Sequence, residues 1–253
     1  YCLMLLKKAK LLPTGIVTLI SDVDINNINS WAVEKNLICI DINHLELLNR
    51  KKTHDLEIVA KAHLPIEETN DCDLIVFRSK DDLNEYFCLL FGKTRLITNE
   101  DKINYIPSVR IHSQCITGDI LQSLKCDCGQ QLKKSIQFMV KQNEGVLIYL
   151  SQEGRNIGLT NKLRSYNLQE QGLDTVDANL TLGFEDDERT YDIAGEILEV
   201  LKINKIDLIT NNPNKVDEMT RMGITINKRI PLIIRANNHN RKYLDSKKTK
   251  TGH

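Results

Sequence analysis

The stretch Cys115-Ile-Thr-Gly-Asp-Ile-Leu-Gln-Ser-Leu-Lys-Cys126-Asp-Cys128-Gly129 gathers three sulfur donors into fourteen residues of a chain of otherwise ordinary composition. Structural zinc sites close all four tetrahedral positions with protein ligands, whereas catalytic sites hold three and leave one for water or substrate. After Cys128 there is no further cysteine, and the next histidine is His239. His112, the closest upstream, belongs to a polar cluster of its own, so the pattern fits an open site of three thiolates. The other reading of such a segment is a set of buried apolar cysteines. Gly118, Asp119, Asp127 and Gly129 make the segment too polar and turn-rich for that.

Outward from the cysteines, a strand over Ser108–His112 precedes them and a helix over Leu132–Lys141 follows. Gly145–Leu150 then reads as a compact apolar strand and Leu159–Gln171 as a helix stopped by Gly172. The pattern continues as a helix over Glu188–Leu201, a strand over Ile206–Thr210, a helix over Asn214–Met222 and a strand over Ile224–Leu232. Upstream, Leu56–Ala62, Leu74–Phe77 and Tyr86–Phe91 read as extended, with the charged run Arg78–Glu85 as a connection. Such alternation predicts an α/β fold, mixed α+β in detail, whose loops carry the function.

Residues 1–52 read as a separate, partial α/β unit: a helix over Leu3–Lys10, a Pro13-Thr14-Gly15 turn, a strand over Ile16–Ile20, a helix over Ile28–Lys35, a strand over Leu37–Ile40 and a helix over His44–Asn49. A linker at 53–57 follows, inside a charged break that starts at Arg50, and a second domain spans 58–253. The first residue is Tyr1, and the expectation is a piece of a longer polypeptide. The basic stretch from Asn237 to His253 reads equally well as a solvated tail or as an ordered end.

Lys+Arg and Asp+Glu balance at 34 each, and aromatic residues make up 5% of the chain, which argues against nucleic acid as a partner. Any polyanion has to be bound by a local cluster. Seven cysteines without a disulfide-like pattern, no leader and no membrane-length apolar run predict a cytoplasmic protein with no membrane partner.

Four further clusters carry chemistry: Arg110-Ile-His112-Ser113, Gln152-Glu-Gly-Arg-Asn-Ile-Gly158, Asp186-Asp-Glu-Arg189 and Thr210-Asn-Asn-Pro-Asn-Lys215. Each falls where a strand is predicted to end or a helix to begin, and helix N-termini and glycine turns offer N–H groups to anions. Simpler roles exist for two of the clusters and for Tyr166. Asp187 and Glu188 can serve as the acidic first turn of a helix, Thr210–Lys215 as an Asn-Pro turn, and Tyr166 as a packed helix-face tyrosine.

Together with Val109-Arg-Ile-His-Ser-Gln-Cys115, Lys125-Cys-Asp-Cys-Gly129, Asp174-Thr175, Asn179, Gly183-Phe184, Tyr243-Leu and Gly252-His253, these motifs resemble, in family order from about Ile58 to His253, GTP cyclohydrolase II. The resemblance implies zinc on Cys115, Cys126 and Cys128, and hydrolytic attack of a metal-activated water at C8 of the guanine ring with release of formate. A separate step would release pyrophosphate, giving 2,5-diamino-6-(5-phosphoribosylamino)pyrimidin-4-one for riboflavin biosynthesis. It further implies Arg189 as nucleophile towards the α-phosphate with Asp187 as proton acceptor, and Tyr166 near the reacting ring. A guanidinium with a pKa above about 12 is a poor nucleophile, so Arg189 also fits a charge-stabilising role. The implied substrate contacts are Arg110, His112, Ser113, Gln114, Gln131, Glu153, Gly154, Arg155, Thr175, Thr210 and Lys215. Magnesium would accompany the triphosphate, and the family is typically homodimeric.

The chain departs from the family twice. Gln114 stands where a glutamate is usual, which removes a charge but keeps a hydrogen-bonding amide and bears on GTP affinity. Pro65-Ile-Glu-Glu-Thr-Asn replaces the usual opening of the first hairpin. Residues 1–52 resemble, more weakly, the C-terminal end of 3,4-dihydroxy-2-butanone 4-phosphate synthase through Leu11-Leu-Pro-Thr-Gly-Ile-Val17 and Val33–Leu48. Leu19 stands where that family has an active-site glutamate, so no synthase activity is expected of this chain. The alternative function is a silent cyclohydrolase-like domain that scaffolds or regulates a fused synthase. Intact Cys115, Cys126, Cys128, Tyr166, Asp187, Arg189 and Lys215 favour the enzyme.

Overall fold

The computed structural model describes residues 1–21, 23–49, 55–79, 84–97 and 105–241. Thr53 and His54 of the expected linker, the middle of the 78–85 connection, and the Tyr243 and Gly252-His253 motifs lie outside the described residues. The chain divides into two compact units, Tyr1–Thr53 and His54–His253.

In the first unit, α1 (Cys2–Lys8), α2 (Ile28–Glu34) and α3 (Ile42–Asn49) form where expected. Asp24 accepts from the Asn26 N–H and starts the turn that leads into α2. The strands expected at 16–20 and 37–40 do not form. Ile16, Val17, Leu19 and Ile38 stand open to solvent. β-Branched residues favour a pleated surface only when a neighbouring strand supplies the ladder, and none does so here among the described residues.

The second unit is built on one seven-stranded sheet in the order β1-β2-β3-β5-β4-β6-β7. The strands are β1 (Leu56–His63), β2 (Cys72–Ser79), β3 (Glu85–Gly92), β4 (Ser108–Ser113), β5 (Glu144–Leu150), β6 (Lys205–Ile209) and β7 (Thr225–Ile230). The first three and β5 pair antiparallel, whereas β5, β4, β6 and β7 run parallel. The altered first hairpin closes tightly, with Ile66 and Thr69 exchanging both backbone bonds.

Six helices complete the unit among the described residues: α4 (Ile116–Asp119), α5 (Cys128–Gln142), α6 (Leu159–Glu170), α7 (Thr175–Thr181), α8 (Asp192–Val200) and α9 (Pro213–Arg221). Side chains alternate across each strand, so the sheet buries two apolar faces. Cys88, Leu90, Val109, Ile111, Val146 and Ile148 pack with Ile197 and Leu198 of α8 and Met219 of α9. Phe91 and Leu147 pack on the other face, with Met139, Leu132 and Ile136 of α5. The same alternation puts Arg110 and His112 of β4 on the face opposite Val109 and Ile111.

Besides the single-turn α4, which the sequence reading leaves unassigned, two helices differ from it. Thr175–Thr181 is helical, begun by Asp174, whose carboxylate accepts from the Val176 and Asp177 N–H groups. Conversely α8 starts at Asp192, four residues later than expected. Glu188 accepts from the Glu185 N–H and Asp187 is taken by Arg189, so neither carboxylate caps a helix.

The chain leaves β4 for β5 on one side and, after three helices, returns as β6 on the other side of β4. Where parallel connections diverge in this way, a crevice opens at the carboxyl ends of the strands. The segments after β4, β5 and β6 are those that carry Cys115, Glu153 and Asn212.

Candidate active site

Cys115 follows β4 directly, while Cys126 and Cys128 lie at the start of α5. Their sulfur atoms all lie within 4.8 Å of one another, with Cys115 and Cys126 at 3.6 Å. Tetrahedral ligands at about 2.3 Å from zinc are about 3.8 Å apart, so the donor set fits that ion. A Cβ on Gly118 would stand 2.8 Å from the Cys126 sulfur and 3.1 Å from that of Cys115, so this backbone closes one side of the cluster. Hydrogen bonds from Cys126 and Cys128, with help from the Lys162 ammonium, hold the Cys115 thiol far below its usual range. The same bond to Cys115 pushes the Cys126 thiol up to about 11, and Cys128 rises too.

The loop after β4 is held from below by Asp119, whose side chain is 3% exposed. It accepts from the Cys115 N–H at 3.0 Å, the Tyr149 hydroxyl at 2.9 Å and His112 Nε2 at 3.0 Å. That pattern puts the His112 proton on Nε2. Burial lowers the pKa of His112 despite the Asp119 bond, so the ring is neutral near pH 7.

Arg110 is buried, donating to the Ile209 carbonyl at 3.0 Å and to Gln131 Oε1 at 2.5 Å. Burial brings its pKa down to about 10, partly countered by Cys128 and Asp127. Gln131 in turn donates to Asp127. Lys215, inside the first turns of α9, reaches the Ile111 carbonyl at 2.8 Å and lies over the Tyr191 ring. Asn212 caps α9 by accepting from the Asn214 N–H, with Pro213 in the first helical position.

After β5, residues 152–158 turn through positive φ at Gly154, Arg155, Asn156 and Gly158. Arg155 donates to the Asp186 carbonyl at 2.8 Å and Asn156 to that of Glu188 at 2.9 Å, which fastens the 186–189 segment to this turn. Arg189 grips Asp187 in a fork, Nε to Oδ1 at 2.7 Å and Nη2 to Oδ2 at 2.5 Å. Burial raises the Asp187 pKa, but these bonds outweigh it and the net shift is downward. On α6, burial pushes the Tyr166 phenol up to about 12, so it is protonated near pH 7.

One pocket collects these groups. Arg110, His112, Ser113, Gln114, Cys115, Cys126, Cys128, Gln131, Glu153, Gly154, Arg155, Tyr166, Thr175, Arg189, Thr210 and Lys215 all line it. Asp187 does not, and reaches the wall only through Arg189.

The sequence model for GTP cyclohydrolase II matches residues 57–231. The chain belongs to the GTP cyclohydrolase II family. The GTP cyclohydrolase-2 of Haemophilus influenzae (strain PittGG) is 44% identical over 199 residues, 78% of this chain and 88% of that protein. That of Histophilus somni (strain 2336) is 45% identical over the same span. The GTP cyclohydrolase-2 of Azospirillum brasilense is 39% identical over 249 residues, 98% of this chain, and the chain spans 63% of that protein's length. Among solved structures, RibBX, a two domain 3,4-dihydroxy-2-butanone 4-phosphate synthase from A. baumannii, overlaps 85% of this chain and 53% of its own at 14% identity and a TM-score of 0.41, too low to build on.

Among GTP cyclohydrolase II positions expected to touch substrate, Glu153 has both carboxylate oxygens occupied by the protein itself. Oε1 accepts from Gly154 N and Lys162, and Oε2 from Ile116 N at 2.6 Å. Lys162 and Asp119 are the residues that sequence reading passed over as working groups. No local signal marked Lys162: Asn161, Lys162 and Ser165 make a buried polar stripe on α6 that only the folded chain reveals.

Proposed function

We propose that this chain is a zinc-dependent GTP cyclohydrolase II. It hydrolyses GTP with opening of the guanine imidazole ring, releasing formate and pyrophosphate and giving 2,5-diamino-6-(5-phosphoribosylamino)pyrimidin-4-one, the first step of riboflavin biosynthesis. The observation that carries this reading is the convergence of three cysteine sulfurs within 4.8 Å on the wall of a pocket that Arg155, Arg189 and Lys215 also line. Cys115, Cys126 and Cys128 would hold zinc, which would supply Lewis acidity and lower the pKa of water beside the guanine ring.

The chain's own residues divide the remaining work. Tyr166, a protonated phenol beside the thiol cluster, donates a hydrogen bond at the reacting ring. Arg110, His112, Ser113, Gln114, Gln131, Gly154, Thr175 and Thr210 frame the nucleoside, and Arg155 and Lys215 meet the phosphates, which magnesium accompanies through phosphate oxygens and water. Arg189, charged and locked in a fork by Asp187, stabilises negative charge on the α-phosphate during pyrophosphate release instead of attacking it. Glu153 orders the loop. The enzyme works as a homodimer in the cytoplasm, and residues 1–52 form a synthase-like unit joined by a linker at 53–57.

The test is release of formate and pyrophosphate from GTP, with magnesium present and zinc assayed on the same sample. Matched release of both is expected, and Cys126→Ser loses zinc and turnover together. Stoichiometric zinc with neither product would overturn the enzyme in favour of a silent scaffold.

A further inference from the structure

Lys162 is 9% exposed, and its ammonium touches three acceptors from two segments. It donates to Glu153 Oε1 at 2.7 Å, to Thr117 Oγ1 at 2.8 Å and to Cys115 Sγ at 3.1 Å. A lysine ammonium has three N–H donors, so all of them are committed. Two of the acceptors are themselves anchored. Glu153 is pinned by Ile116 N and Gly154 N, and Thr117 lies in α4, two residues after the cysteine. The ammonium is therefore held at a fixed point beside one sulfur of the cluster.

We infer that Lys162 is the positioning residue of the metal site. Its N–H···S bond sets the direction of the Cys115 sulfur, and its charge offsets the net negative charge that three thiolates leave around a divalent ion. The inference rests on the zinc reading above. Groups that orient a metal ligand act through that ligand, and their loss typically lowers metal affinity about 10–100-fold. Methionine at 162 would fill a similar volume and remove the ammonium from the sulfur, the threonine hydroxyl and Glu153 Oε1, leaving the carboxylate only its two backbone donors. Arginine would keep charge and donors in a planar fork of different reach.

The experiment is zinc affinity of the full chain by competition with a chromophoric chelator. Lys162→Met is expected to lose about 10–100-fold, and Lys162→Arg less. Wild-type chain that takes up no zinc overturns the zinc reading and this inference with it. Wild type and Lys162→Met binding zinc equally tightly overturns the inference alone. So does a lowered melting temperature of metal-free Lys162→Met with unchanged zinc affinity, the signature of a purely structural role. Should Lys162→Met fail to fold, the ¹¹³Cd resonance of cadmium-loaded Lys162→Arg is read instead. A resonance displaced from wild type is expected, and one left in place overturns the inference.

Discussion

Gly118 leaves the thiol cluster the room it needs on one side. A methyl group there would meet sulfur at 2.8 Å, inside any real contact distance, so Gly118→Ala is expected to spread the cysteines, to cost about 1–3 kcal/mol and to abolish stoichiometric zinc, read by denaturant melts and metal analysis. The thiols themselves predict a proton count. Cys115 is held as a thiolate while Cys126 and Cys128 are pushed up, so zinc uptake near pH 7.5 should release about two protons, measurable by calorimetry in buffers of different ionisation enthalpy. At Arg189 the fork to Asp187 argues for charge stabilisation. Arg189→Ala is then expected to lower pyrophosphate release by about 10²–10³-fold, and quenching wild type with detergent at alkaline pH, where a phosphoramidate survives, should trap no chain-linked α-labelled nucleotide. A trapped, chain-linked nucleotide would make Arg189 the nucleophile.

The turn after β5 is the element that joins the two ends of the pocket. Glu153 ties it to Ile116 and Lys162 at the cysteine end, and Arg155 and Asn156 tie it to residues 186–189. Removing one partner of a buried ion pair leaves the other charge uncompensated, so Glu153→Gln should cost about 3 kcal/mol or more in denaturant unfolding. Exchange protection is expected to fall at both Ile116 and Glu188, whose N–H groups bond to this turn. Protection lost at Ile116 alone would mean that the turn does not transmit. The run Gln152–Gly158 was legible as a turn from its glycines. That its glutamate is a clamp was not, because Lys162 and Ile116 reach it from other elements. The same holds for α8: acidic residues before an apolar run are a sound helix start, but Arg155, Asn156 and Arg189 hold that segment in another conformation.

At the scale of the molecule, buried carboxylates set the acid limit. Asp73 is buried, which raises its pKa, but hydrogen bonds from Arg95, His63 and Lys61 outweigh that and lower it. A lowered folded pKa contributes stability above the unfolded value of about 3.9 and loses it as pH falls through the folded one. Asp73→Asn should therefore destabilise by about 1 kcal/mol at pH 7, discounted for its partly exposed partners, and the gap to wild type should close below about pH 4. A gap that persisted there would assign the loss to packing. The alternation of strands and helices, the three-sulfur donor set and the residue types around the pocket follow from the chain alone, since periodicity and ligand chemistry are local properties. Tertiary structure decided what depends on distant partners. It left 16–20 and 37–40 out of any ladder, began α8 at Asp192, set Asp187 behind Arg189, and turned Glu153 and Lys162 into a clamp on Cys115. Strand pairing and the burial of charge are fixed by groups that meet only in the folded chain, and no local pattern records which groups those are.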